Sequence, residues 1–396
     1  MTETDVVVIG GGATGVGVAR DLAMRGVDVV LCERGGLGAG TTGRSHGLLH
    51  SGARYATADP EGAAECIRES RVLRDIAGKA VERTDGLFVQ LPDDDPAAFD
   101  ARIEACHDVG IPTETLSTDA VRDIEPELTS DVTRAFRVPD GVIYPSRLLA
   151  ATAESARQHG AEIRPNAPVT DIVVADGTVT AIETDDERIA ADHVVNAGGA
   201  WAGRIAELAG VEVPMAPTTG VMVAVDVEGV DSVINRCRPP GDGDIVVPHE
   251  DRVVLGTTST PVEDPDDFPT DEDAVVAMLM EGTAMVPSVA AADVVDVYWG
   301  VRPLYGGDDG GRGRDVSRGF QVHDHDVAGL TTVTGGKLTT YRLMAEAVSD
   351  AVCERLSVSE PCRTADAELP AGDAEELDAL VETFDAAGPA DTDIVG

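Results

Sequence analysis

The chain begins with the polar stretch "MTETD", runs straight into the apolar residues Val6–Ile9, and then breaks into a cluster of glycines. After the glycines, apolar positions recur at helical spacing through "GVGVARDLAM", and a second apolar run, "VDVVLC", ends at Glu33. The pattern predicts a strand over 5–9, a glycine turn, a helix over about 14–25 and a second strand. Farther on, "EGAAECIRESRVLRDIA" has helical periodicity, "GLFVQL" reads as a strand, and residues 92–135 mix helix and turn signals. "DGVIYPSRLLAATAESARQHG" is a turn followed by a helix. Three short strands over 169–174, 178–184 and 188–196 follow it, with Asp-Gly at their first junction as a hairpin signal. The last of these leads into "NAGGAWAGRIAELAG", apolar strand to glycine turn to helix. Residues 212–324 are mostly strand and turn, interrupted by an acidic loop at 263–273 and a helix at 274–285. "GLTTVTGGKLTTYRLMAEAVSDAVCERL" is again strand, glycine turn and helix, and no internal repeat is visible.

The first glycine cluster carries chemistry. Gly10, Gly12 and Gly15 form G-x-G-x-x-G between strand and helix. The first permits the tight turn, the second lets backbone approach a pyrophosphate, and the third lets the helix pack on the strand. The helix N-terminus then offers free N–H groups to phosphate oxygens. Glu33, at the end of the second strand, is placed to bind an adenosine ribose and disfavours a 2′-phosphate, so the motif reads as NAD or FAD rather than NADP. An NAD domain would normally continue with another βαβ unit. Here "GGLGAGTTGRSHGLLHSGARY" follows, an arm of Gly, Ser, Thr and His that suits backbone threaded along an extended cofactor, or a flexible surface loop.

Composition narrows the partners. The 396 residues carry 72 acidic against 30 basic side chains, a formal charge of −42 spread along the whole chain. Such a surface argues against nucleic acid and anionic bilayers as direct partners and suits a high-salt cytoplasm. With 43% hydrophobic residues and this length, two domains are expected, interleaved or consecutive. No basic-then-apolar leader opens the sequence and no apolar stretch approaches about 18 residues, so a cytoplasmic location is expected. The six cysteines and eight histidines show no metal-ligand spacing, and the thiols are expected to be reduced core residues. Of the 30 basic residues only two, Lys79 and Lys337, are lysines, and Lys337 follows Gly335-Gly336 at a strand-to-helix turn.

Taken in order, "VIGGGATG", "GRSHGLLHSGARY", "DGVIYPSRL", "VVNAGGAW", "VINRCR", "GVRPL", "VSRG" and "TGGKLTTYRLMAE" resemble the FAD-dependent glycerol-3-phosphate dehydrogenases, most closely the large flavin-bearing "A" component of the anaerobic, quinone-linked type, from a halophile. The resemblance implies an α/β fold (α+β overall), with a glutathione-reductase-type, Rossmann-like FAD domain over 1–85, 145–212 and 325–357. An inserted β-rich substrate domain would occupy 86–144 and 213–324, and 358–396 would be an acidic linker or tail. It implies oxidation of sn-glycerol 3-phosphate to dihydroxyacetone phosphate with electrons passed to a membrane quinone through partner subunits, which would hold the protein at the inner face of the cell membrane. The family's members of this type continue into a cysteine-rich C-terminal domain, and no such cysteine cluster occurs up to Gly396. The aerobic branch has an active-site histidine on a strand where this chain reads "TTGVMVAVD", without one; His249 lies elsewhere.

Residue by residue, the resemblance implies FAD contacts from Gly10, Gly12, Ala13, Thr14 and Gly15, from Glu33 and Arg34, and from Thr41, Thr42, Arg44, Ser45, His46, Gly47 and Leu49 in the arm. Further contacts are implied from Val169, Ala197 and Gly198, and from Gly335, Gly336, Lys337, Leu338 and Thr339. Arg54, Tyr55, Arg302 and Arg318 would bind substrate, since arginine pairs bidentately with phosphate. His50 is the candidate base, and Lys337 and Arg302 share the catalytic site with it. Two other readings stay open: a flavin dehydrogenase of another 2-hydroxy acid such as L-2-hydroxyglutarate, and a catalytically silent flavin-binding fragment.

Overall fold

The computed structural model describes residues 2–250, 252–307, 319–370 and 372–391. In it the opening apolar run becomes the strand Thr2–Ile9 inside an eight-stranded sheet, with Val6, Val7 and Val8 fully buried. It pairs in parallel with Val29–Cys32 on one side and Arg188–Asn196 on the other, and Val29–Cys32 pairs in parallel with Glu162–Arg164. Leu330–Gly335 adds a further parallel strand beside Arg188–Asn196. Parallel strands covered on both faces explain the unbroken apolar runs. The helix Ala13–Met24 connects the first two strands; Pro145–Gln158 and Tyr341–Leu356 pack beside it. The meander is Val169–Ala175, Thr178–Thr184 and Arg188–Asn196, antiparallel throughout.

A second, nine-stranded sheet takes strands from two separate parts of the chain. Gly86–Gln90 pairs in parallel with Val233–Arg236 and antiparallel with Arg134–Val138, joining the earlier segment to the strands Thr218–Val225, Ile245–His249, Arg252–Gly256 and Val294–Arg302. The helix Glu272–Met285 covers one face through Met278 and Met285. Leu48–Leu49, Val81–Glu82 and Gly141–Ile143 form a small third sheet.

Two expectations differ from the structure. Phe320–Asp324, expected within the substrate portion, is a hairpin partner of Leu330–Gly335 in the first sheet, because the five-residue turn His325–Gly329 between them is short enough to pair them antiparallel. The described part of the segment expected as an acidic linker or tail instead folds back onto the nucleotide-binding side. Its helix Ala374–Thr383 packs on Pro145–Gln158 through buried Leu377 and Val381, with Phe384 and Ala386 beyond them. Asp391 accepts hydrogen bonds from the Ser146 backbone (2.8 Å) and hydroxyl, and Ala390 N–H donates to the Gly43 carbonyl at 3.0 Å. Acidic side chains face solvent while apolar ones at helical spacing face the core, so overall charge concealed an amphipathic helix.

All six cysteines are free thiols, five of them buried. Among the described residues no group of His, Cys, Asp and Glu is arranged to hold a metal, and no helix is long and apolar enough to cross a membrane.

Candidate functional site

The C-terminal ends of the parallel strands Thr2–Ile9, Val29–Cys32, Arg188–Asn196 and Leu330–Gly335 open onto a cavity of about 500 Å³, to which the second sheet contributes Arg302, followed by Pro303 and Leu304. Gly10 leaves the first strand with φ +113°, and a Cβ there would come within 2.5 Å of the Ala197 carbonyl oxygen. Gly15 sits directly on this turn, where a Cβ would meet the Gly10 oxygen at 1.8 Å. Gly12 caps the helix without a side-chain hydrogen bond, so its first turn is bare toward the cavity apart from Ala13 N–H, which donates to Thr42 Oγ1 at 3.1 Å. Glu33 accepts from the Gly11 and Gly35 N–H groups at 2.6 and 3.0 Å, which fixes its carboxylate at the cavity wall. These features, a glycine-walled cradle and an uncapped helix start beside an acidic side chain, fit a dinucleotide.

On the Lys337 side the arm and the last glycine turn meet. Gly335 and Gly336 have φ of +75° and +86°, and reverse the chain between strand and helix so that Lys337 enters the wall. Its side chain is only 6% exposed, with Nζ 3.6 Å from Asp59 Oδ2 and 4.9 Å from the centre of the Tyr55 ring. The Tyr55 hydroxyl lies 3.3 Å from His50 Nε2, and the His50 backbone N–H donates to Thr339 Oγ1 at 3.1 Å. The His46 ring stands edge-on to His50 at 5.9 Å. Arg302, at the end of its strand, donates to the Thr258 carbonyl at 2.9 Å and to the Thr257 and Thr218 hydroxyls at 3.2 and 3.5 Å. One cavity thus gathers a buried ammonium, a guanidinium, a phenol and two imidazoles.

Most residues expected at the site line this cavity: Gly10, Gly12, Ala13, Thr14, Glu33, Arg34, Thr41, Thr42, Ser45, His46, His50, Tyr55, Val169, Ala197, Gly198, Arg302, Gly335, Gly336, Lys337 and Leu338. Others stand behind it. Leu49 is buried in the main core while its neighbour Leu48 lines the wall, because successive strand residues point to opposite faces. Arg44 is exposed and donates to the Ala39 carbonyl at 3.1 Å, so it braces the arm. Gly15, Gly47 and Thr339 act through their neighbours rather than at the wall. Arg54, expected on substrate, is not in the lining; its guanidinium is held by buried Asp244 at 3.0 Å. Arg318 lies outside the described residues.

Several wall residues escaped the motif reading. Trp201 and Arg204 follow the second glycine turn, and Arg34 stacks over the Trp201 ring at 4.3 Å. The acidic loop reaches over from the second sheet: Asp266 pairs with Arg34 (3.1 Å) and Arg204 (2.7 Å), and Asp264 with Arg204 (2.5 Å). Trp201 is one of only two tryptophans in the chain, and its place after Gly-Gly was the available signal. Ile205 with Leu208, and Tyr341 with Met344, have i, i+3 spacing that resembles ordinary core.

His249 has a structural part. It is fully buried on Ile245–His249 behind the arm, where Nε2–H donates to the His46 carbonyl at 3.2 Å and Nδ1 has no partner. Burial pushes its pKa down to about 4, opposed by the His46 carbonyl contact. The folded value lies below the unfolded one, so the stability is present above the unfolded value of about 6.5 and is lost as pH falls toward the folded value. His249 alone should cost about 2 kcal/mol between pH 7.5 and 5. His249→Gln is expected to flatten that dependence by the same amount in denaturant titrations at fixed high salt; an unchanged pH slope would rule it out.

The sequence profile of the family described as FAD dependent oxidoreductase matches residues 5–342. The chain belongs to this family. The protein accordingly takes FAD as its cofactor, and the glycine cradle, Glu33 and the arm residues lining the cavity are the ones that would hold it. Among similar proteins, the A1 component of the anaerobic glycerol-3-phosphate dehydrogenase of Haloferax volcanii is 50% identical over 388 residues, which cover 92% of this chain and 66% of that protein. The corresponding A component from Escherichia coli is 44% identical over 380 residues, or 93% of this chain and 70% of that protein. The chain therefore spans about two thirds of these relatives' length. The fold is also that of the L-alpha-glycerophosphate oxidase of Mycoplasma pneumoniae with FAD bound, at TM-score 0.77 and 20% identity over 94% of this chain and all of that one. The glycerol-3-phosphate dehydrogenase of Bacillus halodurans complexed with FAD gives TM-score 0.72 and 25% identity over 97% of this chain and 71% of that one.

Proposed function

We propose that the protein oxidises sn-glycerol 3-phosphate at its secondary alcohol to dihydroxyacetone phosphate. The observation that carries this reading is the cationic wall, with the Lys337 ammonium and the Arg302 guanidinium beside the His50–Tyr55 pair in the cavity that holds the cofactor. Bound FAD supplies the hydride-accepting chemistry. Arg302 presents a planar fork suited to phosphate oxygens, held rigid by three threonine oxygens. Lys337 offers a compact charge to the substrate oxygen, which becomes electron-rich as its proton leaves. That proton passes to the Tyr55 oxygen as the Tyr55 hydroxyl gives its own to His50 Nε2, along the 3.3 Å contact. The Lys337 side chain is largely shielded from water, which strengthens its interaction with a developing negative charge.

Both dehydrogenase relatives are named as components of multi-subunit enzymes, which supports a further reading: partner subunits take the electrons onward to a membrane quinone and hold this chain at the inner face of the membrane. Anaerobic titration tests the central claim. Sn-glycerol 3-phosphate should bleach the flavin absorbance stoichiometrically, and acid extraction should release FAD. Bleaching by L-2-hydroxyglutarate but not by glycerol 3-phosphate would replace this reading, and no bleaching by either would point to a silent flavin carrier.

A further inference from the structure

Asp59 begins the helix Pro60–Ile76, and its carboxylate faces two ways. Oδ1 accepts from the Gly62 N–H at 2.9 Å as the helix cap, while Oδ2 stands 3.6 Å from Lys337 Nζ. The turn before it is tight, with Ala58 and Asp59 N–H groups donating to the Tyr55 carbonyl at 2.9 and 2.8 Å. Tyr55 and Asp59 therefore come from one turn and bracket one ammonium, ring on one side and carboxylate on the other. The scaffold fixes this bracket from below. Arg342, in the helix that follows Lys337, grips Glu69, in the helix that follows Asp59, through two bonds of 2.7 Å, and both side chains are buried. That bidentate pair locks the two helices in register, so the separation of Asp59 and Lys337 is set by the core rather than by flexible surface chains. Glu65 lies farther along the same helix; burial raises its carboxyl's pKa and the nearby Lys337 charge opposes this.

We propose that Asp59 is a positioning residue: its carboxylate holds the Lys337 ammonium against the Tyr55 face, so that ammonium, phenol and the His50 imidazole present one fixed unit to the cavity. The proposal rests on the reading of Lys337 as a reaction-site residue. A cap alone does not account for aspartate here, because Asn and Ser cap helices about as well but carry no charge.

The chain's composition supplies the test. Lys79 is exposed and is the only other lysine, so it is an internal reference for Lys337. FAD-loaded wild type, Asp59→Asn and Asp59→Ser are treated with acetic anhydride, and acetylation of the two lysines is compared by mass spectrometry. Both variants keep a capping oxygen, so thermal unfolding should hardly move. The Lys337-to-Lys79 ratio should be low in the wild type and severalfold higher in the variants, because an ammonium no longer held by the carboxylate leaves the Tyr55 face and meets the reagent. Flavin bleaching by glycerol 3-phosphate should slow in parallel, mainly through the limiting rate. An unchanged ratio in either folded, FAD-loaded variant would overturn the proposal. A raised ratio with unaltered bleaching would uphold the Asp59–Lys337 coupling and overturn the reaction-site reading on which its function depends.

Discussion

Lys337→Arg should slow flavin reduction by glycerol 3-phosphate at least about tenfold while FAD stays bound. The charge is retained, so any loss reports geometry. The side chain is 6% exposed and lies between the Asp59 carboxylate and the Tyr55 ring. A guanidinium is broader and planar, and it cannot occupy the place of an ammonium without pushing back Tyr55, which is hydrogen-bonded to His50. A displacement of about 1 Å at a reacting centre costs on the order of a hundredfold in rate. Retention of FAD is expected because the Gly335-Gly336 turn and the first glycine cradle are untouched. Rapid-mixing absorbance under anaerobic conditions reads both quantities, and wild-type bleaching kinetics would remove Lys337 from the reaction.

Arg302→Ala should weaken the use of substrate more than that of any other oxygen-rich ligand of the cavity. Charge-assisted hydrogen bonds contribute about 1.5–3 kcal/mol each, so loss of the fork is expected to lower kcat/KM by about 10- to 150-fold, mostly through KM. Arg302 closes the strand Val294–Arg302, paired with Thr218 at its edge, and Thr218 and Thr258, which accept from it, are buried, so thermal unfolding of the variant is measured alongside the kinetics. Arg302→Lys is the companion variant, keeping charge but losing the fork; it should recover only part of the loss. An unchanged KM for glycerol 3-phosphate in Arg302→Ala would move the phosphate elsewhere in the cavity.

Local signals carried far in this chain where the physics is local. Glycines at 10, 12 and 15 were readable because only they permit that turn and that contact between strand and helix, and the strand–turn–helix order around them follows from apolar spacing within some thirty residues. The same holds for Gly335-Gly336-Lys337, where a positive φ at both glycines leaves the next side chain directed into the wall. The parity of Leu48 and Leu49 was not readable, since a two-residue strand offers no alternation to count. Nor was the fate of Arg54: a guanidinium in a motif reads as a ligand until Asp244, 190 residues away, is seen to hold it. The C-terminal segment misled through composition, because its acidic residues outnumber the few apolar ones that dock its helix.

By itself the sequence determined a dinucleotide cradle, an acidic surface suited to high salt and a family whose motifs run from end to end. Each of these depends on residue type and short-range spacing, or on a sum over the chain. Tertiary structure decided which charges meet. It brought Asp264 and Asp266 across to Arg34 and Arg204, His249 behind the His46 carbonyl, and Asp59 to Lys337 over 278 positions. Such pairings arise from how two sheets and their helices pack, and the energy that selects them is the burial of apolar faces far from the charges themselves. The chain's spacing therefore named the candidates, while packing chose Lys337, Tyr55, His50 and Arg302 as neighbours around one cavity and set Arg54 and Leu49 behind its wall.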